Sequence, residues 1–273
     1  MSVRKNAMHK LARQVRFSVN PFLPETSEGG NSYASRPAGS GLAIYLGLWV
    51  ELAGPIDADT GFVVNVVEID RIARGAAIPV IASSIKTNFT NRQHVSLLQL
   101  CKLLGQSWQG LAGKFGEAKL CKLALELNPF RNISIKSEQA QMFYFSEKFE
   151  FAAMHTLWNK KFSDEKNFQV FGKCANPNGH GHNYIVEVTV EKSASDEELD
   201  IGDFESIVNE NFISKVDHKN LNADVAEFET KNPTVENITV LAWEKLSGKF
   251  ENAKLSKITV WETNRTCCTY CGP

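Results

Sequence analysis

Residues 173–184, "KCANPNGHGHNY", concentrate the side chains able to do chemistry. His180 and His182 are separated by one glycine. In a β-strand, residues i and i+2 point to the same face, so the two imidazoles stand side by side with no bulk at Gly181 between them. His155 follows an alternating segment upstream, and antiparallel pairing of the two segments would bring it alongside. Three histidine ligands leave an open fourth position, as expected of a catalytic Zn²⁺. Cys174 lies six residues before His180, and Asn178-Gly179 is a turn signal that bends the intervening loop back. The thiol is then either a fourth ligand closing a structural site or a free thiol beside an open metal. Asp217-His218 stands at a helix exit. Such a couple orients an imidazole and raises its basicity; equally, a histidine at a helix C-terminus compensates the dipole. Cys268-x-x-Cys271 in the tail has the spacing of a metal half-site. No second pair or nearby histidine completes it, so its thiols read as part of a C-terminal strand.

The elements that must position these residues are written twice. "GKFGEAKL" at 113–120 and "GKFENAKL" at 248–255 are offset by 135 positions, and the same offset lays Trp108 on Trp243, Leu111 on Leu246 and Ile72 on Ile207. An unbroken offset of that kind marks an internal duplication. The second copy reads as strands over 141–153 and 182–192, helices over 204–216 and 232–250, and strands over 254–264 and 265–272. Asn232 is the expected N-cap of the later helix, Pro233 its first helical residue, and Gly248 its stop. The first copy reads as strands in "VRFSV" and "GLAIYLGLWVELAG", helices near 67–75 and 95–112, and strands in "AKLCKLALEL" and "RNISI". Consecutive strands with helices grouped between them give an α+β class, with antiparallel sheets covered on one face. The Gly/Ser/Pro-rich residues 24–40 read as a loop. Asn128-Pro129 and the polar run "KSEQAQ" mark a linker, dividing the chain into 1–137 and 138–273.

The bounds are consistent with this. The chain has 273 residues, enough for two domains. Its net charge of −1 provides no basic field for nucleic acid or an anionic membrane, and no apolar run approaches a membrane span. Six cysteines without a secretion signal point to reduced thiols and a cytoplasmic location. The basic N-terminal stretch reads as a tail leading into the first strand, although its composition is also that of an organellar transit peptide.

"GKCANPNGHGHNY", "VDHKNLN", "PTVENITV" and "WETN" followed by the Tyr-Cys-Gly of the tail, in this order and spacing over about 142–272, closely resemble the 6-pyruvoyltetrahydropterin synthase family, relatives of 6-carboxytetrahydropterin synthase. "TGFVVNVVEID" at 60–70 resembles the same scaffold in the first copy. The five residues between Cys174 and His180 look like the pyruvoyl-forming branch. The resemblance implies two tandem tunnelling-fold units, each an antiparallel four-stranded sheet with two helices on one face, assembling into barrels. It implies His155, His180 and His182 as zinc ligands, Cys174 as general base and Asp217 and His218 as acid–base partners. Glu262 would hold the pterin edge, with Thr234 and Glu236 lining its pocket. The implied reaction converts 7,8-dihydroneopterin triphosphate to 6-pyruvoyltetrahydropterin and triphosphate. The alternatives are the carboxy-forming activity of a deazapurine pathway and a non-catalytic pterin-binding assembly. Two departures stand out. Thr156 occupies a position where the family commonly has Arg, leaving Lys160, Lys161 or Lys173 as substitutes towards the triphosphate. In the first copy the 135 offset lays Tyr45, Gly47, Ala82, Ser83 and Cys101 on the site positions. That copy is expected to be scaffold only, and the assembly a trimer of two-unit chains.

Overall fold

The computed structural model describes residues 7–22, 42–136 and 141–273, and it is α+β as expected. The loop at 24–40 and the boundary at 137/138 fall outside the described residues. The chain divides into two compact units, Met1–Phe145 with Lys192–Glu198, and Ser146–Glu191 with Leu199–Pro273.

In the first unit β1 (His9–Val19), β2 (Ile44–Gly54), β3 (Lys119–Glu126) and β4 (Arg131–Lys136) pair antiparallel in chain order. Alternation makes one face apolar: Val15, Phe17 and Val19 on β1 and Leu46, Leu48, Val50 and Leu52 on β2 are all buried. Helices α1 (Val66–Ala76), α2 (Ile78–Thr90) and α3 (Leu97–Leu111) supply Ile69, Ile72, Ile81, Leu104 and Leu111 to the same core. Helix α3 starts in a capping box between Ser96 and Gln99. Helix α2 is absent from the sequence reading, which ends the helical stretch ahead of Pro79. The chain instead breaks at Ala77 and restarts, so that the proline sits in the first turn, where its missing N–H costs nothing. Among its described residues this unit therefore has three helices rather than two.

In the second unit the sheet order is β5 (Met142–His155), β6 (His180–Ser193), β8 (Lys254–Thr263) and β9 (Thr266–Tyr270), with the two-residue β7 (Lys219–Asn220) lying parallel to the end of β5. Helix α4 (Asp164–Phe171), unforeseen, leads into the Cys174 turn. Helix α5 (Ile201–Val208) runs through a wider π turn, Asn209–Ile213, into α6 (Ser214–Val216). A short turn, α7 (Leu221–Asp224), and α8 (Val235–Leu246) follow. Phe151 stacks on Tyr184 at 4.9 Å and meets Phe212 edge-on at 5.7 Å, joining strand and helix cores. Thr234, not Asn232, caps α8, and Val235 rather than Pro233 begins it. Asn232 and Pro233 are drawn off by tertiary hydrogen bonds described below. Gly248 follows the helix end with φ +71, the left-handed stop that glycine accepts.

The strand registers refine the duplication. Cys121 is bypassed in the β2–β3 pairing and Ser256 in the β6–β8 pairing, 135 positions apart. Across those same bulges Glu51 corresponds to Thr189, an offset of 138. His180 and His182 therefore fall on Leu42 and Ile44, not on Tyr45 and Gly47. Ala82 and Ser83 lie inside α2, where the first unit stays helical and the second has already left its helix for Asp217.

One ion pair anchors the first unit. Asp70 on α1 is fully buried and accepts two 2.8 Å hydrogen bonds from the Arg13 guanidinium of β1. Removing one partner of a buried pair strands the other charge. Asp70→Ala should lower unfolding free energy by about 3 kcal/mol in urea titration, the low end for such pairs because Arg13 keeps partial solvent contact.

Candidate metal centre

His155 ends β5, and His180 and His182 begin β6. The alternation expected of a strand holds, since the rings of His180 and His182 lie 4.8 Å apart between centroids and His155 lies 4.5 and 5.3 Å from them. One ring nitrogen from each of the three lies within 4.8 Å of the others. The turn before them also forms. Gly179 N–H donates to Asn176 O at 2.9 Å, and Gly179 takes φ +70. A β-carbon there would meet the Met154 methyl at 2.7 Å and the His155 carbonyl at 3.2 Å, so the turn passes against His155 at a distance only glycine allows.

The protonation of the cluster can be read from its partners. Pro233 O has only lone pairs to offer, and it lies 2.7 Å from His155 Nδ1, so Nδ1 carries the proton and Nε2 a lone pair. That lone pair faces His180 Nε2 at 3.1 Å. His180 Nδ1 and His182 Nε2 are left buried without partners. Buried polar atoms are ordinarily satisfied. A set of converging imidazoles short of partners, one of them oriented by a backbone carbonyl, fits a divalent cation of the zinc type. Burial holds the His155 pKa down at about 4 against the opposing pull of the Pro233 hydrogen bond, with smaller help from His180 and His182, so its lone pair is free at neutral pH. His180 is lowered by burial and by His182.

Glu262 of β8 places Oε1 3.7 Å from His155 Nε2 and 3.8 Å from His182 Nε2, a carboxylate beside the cluster. Cys174 lies in the one-turn helix Gly172–Ala175, outside the ligand cluster. Burial and the charge of Glu262 push its thiol up. Tyr184, the next residue on the same strand face, places its hydroxyl 3.4 Å from His155 Nδ1. Burial and Glu262 hold that phenol protonated. Sequence reasoning did not single out Tyr184, although the same period of two that pairs His180 with His182 points to it.

Asp217 and His218 are stitched to β5 near its end. Asp217 Oδ1 accepts from Ala152 N–H at 2.9 Å, and His218 N–H donates to Ala152 O. Asp217 Oδ2 holds His218 Nδ1 at 2.8 Å. The Ala152 N–H, then His218, keep the Asp217 carboxyl below its ordinary range. His218 takes φ +55, uncommon outside glycine, and its ring is exposed. His218 and His182 line one open cleft of about 440 Å³ with Lys219 and Asn220. The side-chain hydrogen bonds of Asp217 and His218 run to β5 and to each other, none of them to Cys174. Thr234 Oγ1 accepts from Asn237 N–H as the cap of α8, and Glu236 is exposed on the first turn. Thr156 Oγ1 donates to Asn176 O, fastening the cysteine loop. Cys268 and Cys271 belong to no metal-binding group among the described residues.

The model of the family described as 6-pyruvoyl tetrahydropterin synthase matches residues 144–273. Human 6-pyruvoyl tetrahydrobiopterin synthase is 39% identical over 137 residues, covering 49% of this chain and 92% of that protein. The chain belongs to the 6-pyruvoyl tetrahydropterin synthase family. A putative 6-pyruvoyl tetrahydrobiopterin synthase of Caenorhabditis elegans is 38% identical over 125 residues, 45% of this chain and 89% of that protein. A solved structure of the Caenorhabditis elegans synthase aligns at 34% identity over 48% of this chain and 96% of that one, with a TM-score of 0.45. The family match thus contains every residue of the candidate site. No helix among the described residues is long and apolar enough to cross a membrane.

The depressed His155 pKa has a consequence for the metal-free protein. The unfolded chain has an ordinary histidine near 6.5 and the folded chain one near 4, so between these values the unfolded state binds more protons. Stability is full above pH 6.5 and is lost as pH falls towards 4, by an amount on the order of 3 kcal/mol. Urea titrations across that range on the metal-stripped protein measure the loss, and His155→Gln should remove most of it.

Proposed function

We propose that the second unit is a zinc-dependent 6-pyruvoyltetrahydropterin synthase. The supporting observation is the three-histidine cluster with its orphaned ring nitrogens, set beside a thiol and a carboxylate within the family-matched segment. The first copy, residues 1–137, is proposed as scaffold. The positions corresponding to His180 and His182 are apolar there, and the pair Asp217-His218 has no counterpart outside a helix.

His155, His180 and His182 would hold the ion. When bound, Zn²⁺ supplies Lewis acidity to the hydroxyl oxygens of the substrate side chain, together with a positive charge that offsets the carboxylate of Glu262. Glu262 accepts hydrogen bonds from the amino-pyrimidine edge of the pterin, a pair of donors that suits a carboxylate. Thr234 and Glu236 are assigned to the rim of that pocket, Thr234 through its position at the cap of α8. Cys174 acts as general base on a carbon-bound proton of the side chain. Its thiol is raised in the metal-free protein by burial and Glu262, so neutralising that carboxylate charge favours the thiolate. His218, oriented by Asp217, transfers the second proton from its place on the cleft it shares with His182. The electrons lost at the side-chain carbons are gained by the dihydropterin ring as it becomes a tetrahydropterin. Elimination of triphosphate completes the reaction, which is an internal redox change with no external electron acceptor. Lys160, Lys161 and Lys173 are available to the triphosphate where Thr156 replaces the family's common Arg. The carboxy-forming reading is less favoured because the similar proteins named above carry the pyruvoyl name.

Chains are proposed to associate as trimers. Among the described residues β1, eleven residues long, is an end strand of the first unit and β9 an end strand of the second, and strand edges are ordinarily covered.

Dihydroneopterin triphosphate should give 6-pyruvoyltetrahydropterin and triphosphate, and acetaldehyde release would instead establish the carboxy-forming activity. Cys174→Ala should lower turnover by about a hundredfold or more while keeping the metal. Loss of the metal in that variant would make Cys174 a ligand. Native mass measurement should give three chains per particle, and a stable monomer would refute the assembly.

A further inference from the structure

The four residues that end β5 and follow it, 155–158, are held by hydrogen bonds from three distant parts of the chain. His155 Nδ1–H donates to Pro233 O at 2.7 Å. Leu157 N–H donates to Cys174 O at 2.8 Å. Trp158 N–H donates to the side chain of Asn232, Oδ1, at 2.9 Å. Thr156 is held at both ends of its backbone by one side chain: its N–H donates to Asn222 Oδ1 at 2.8 Å and its carbonyl accepts from Asn222 Nδ2 at 3.0 Å.

The Asn222 contact differs from the others in kind. A primary amide facing the N–H and C=O of one residue imitates a neighbouring strand, and it does so next to the last residue of β5, where β7 has ended. Its own backbone is fixed. Asn222 N–H donates to Asn220 Oδ1 at 3.1 Å, and Asn220 N–H to Asp224 Oδ2 at 2.8 Å, which closes the short turn α7. Asn220 also pairs with Met154 in the β5–β7 ladder. One stiff run, 217–222, therefore carries Asp217 and His218 at one end and at the other holds the residue bonded directly to His155.

We infer that Asn222 is a positioning residue for the metal centre: its amide fork on the Thr156 backbone sets the orientation of His155 and ties it to the segment bearing Asp217 and His218. The inference rests on the metal reading of the three histidines. Asn222 is not one of the three histidines that could hold the ion, so its effect is on their placement. Alanine removes both hydrogen bonds. Aspartate keeps the acceptor for Thr156 N–H but turns a second acceptor towards the Thr156 carbonyl.

The test is metal affinity of the stripped full-length chain, using Co²⁺ and Zn²⁺ alone in competition with a chromophoric chelator, together with the visible ligand-field spectrum of the Co²⁺ form. Asn167→Ala is the control. It breaks the hydrogen bonds between Asn167 and the backbone of Asn159 and Ser163, at 2.8 to 3.1 Å, and none to 155–158. Asn222→Ala should weaken binding by about 10- to 100-fold, the range for orienting partners of metal ligands, and alter the Co²⁺ spectrum. Asn167→Ala should lower the melting temperature at least as much with affinity and spectrum kept. If Asn222→Ala does not fold, Asn222→Asp is read in its place, with the same expected loss. Unchanged affinity and spectrum in the folded Asn222 variant, beside a wild type that binds, overturns the inference alone. A wild-type chain that binds neither ion overturns the metal reading beneath it.

Discussion

The candidate site depends on the hydrogen bond from His155 Nδ1 to the carbonyl of Pro233. It decides which nitrogen of a fully buried imidazole carries the proton, and so which one presents a lone pair to His180. A neutral imidazole free to choose its tautomer would offer a donor as readily as an acceptor. The carbonyl removes that choice, and burial keeps the ring uncharged. The geometry of α8 follows from the same bond. Pro233 must hold its carbonyl towards β5, and Asn232 spends its side chain on Trp158 N–H, so the helix starts after them under the cap of Thr234. The helix entry and the orientation of His155 are thus one construction.

Much of this was legible from sequence because it depends on short-range periodicity. The placement of His180 beside His182 needs only the pleat of a strand, and the return of the cysteine loop needs only a left-handed glycine after Asn178. His155 could be reached by asking which histidine ends a strand able to lie next to β6. Asn222, Asn232 and Pro233 were not legible in their present roles. Their partners are 66 to 78 positions away in the chain, and an asparagine that holds remote backbone looks, locally, like any cap or turn residue. Asn232-Pro233 is the plainest case. The local rule makes it a helix start, and a tertiary demand on both residues overrides that rule. Helix α2 was missed for a related reason, since a proline that ends one helix can equally begin another.

The two halves show how a duplicated pattern diverges while its scaffold persists. Both keep the bulge that lets one strand residue pass unpaired, at Cys121 and at Ser256. The offset is 138 on β6 but 135 on β8, so three fewer residues separate β6 from β8 than separate their counterparts β2 and β3. A fixed offset therefore misplaces the site equivalents by three, on Tyr45 and Gly47 instead of Leu42 and Ile44. The conclusion is unaffected, because neither set offers a ligand. Where the second unit leaves its helix to present Asp217 and His218, the first continues as α2 and keeps its own core through the Asp70–Arg13 pair.

The central claim is that one unit of the two holds one catalytic metal on three histidines. Titration of the metal-stripped chain with Zn²⁺ in a calorimeter tests it most directly. The account predicts one tight equivalent per chain, lost in His180→Ala. Two tight equivalents per chain, or one that survives in His180→Ala, would contradict it.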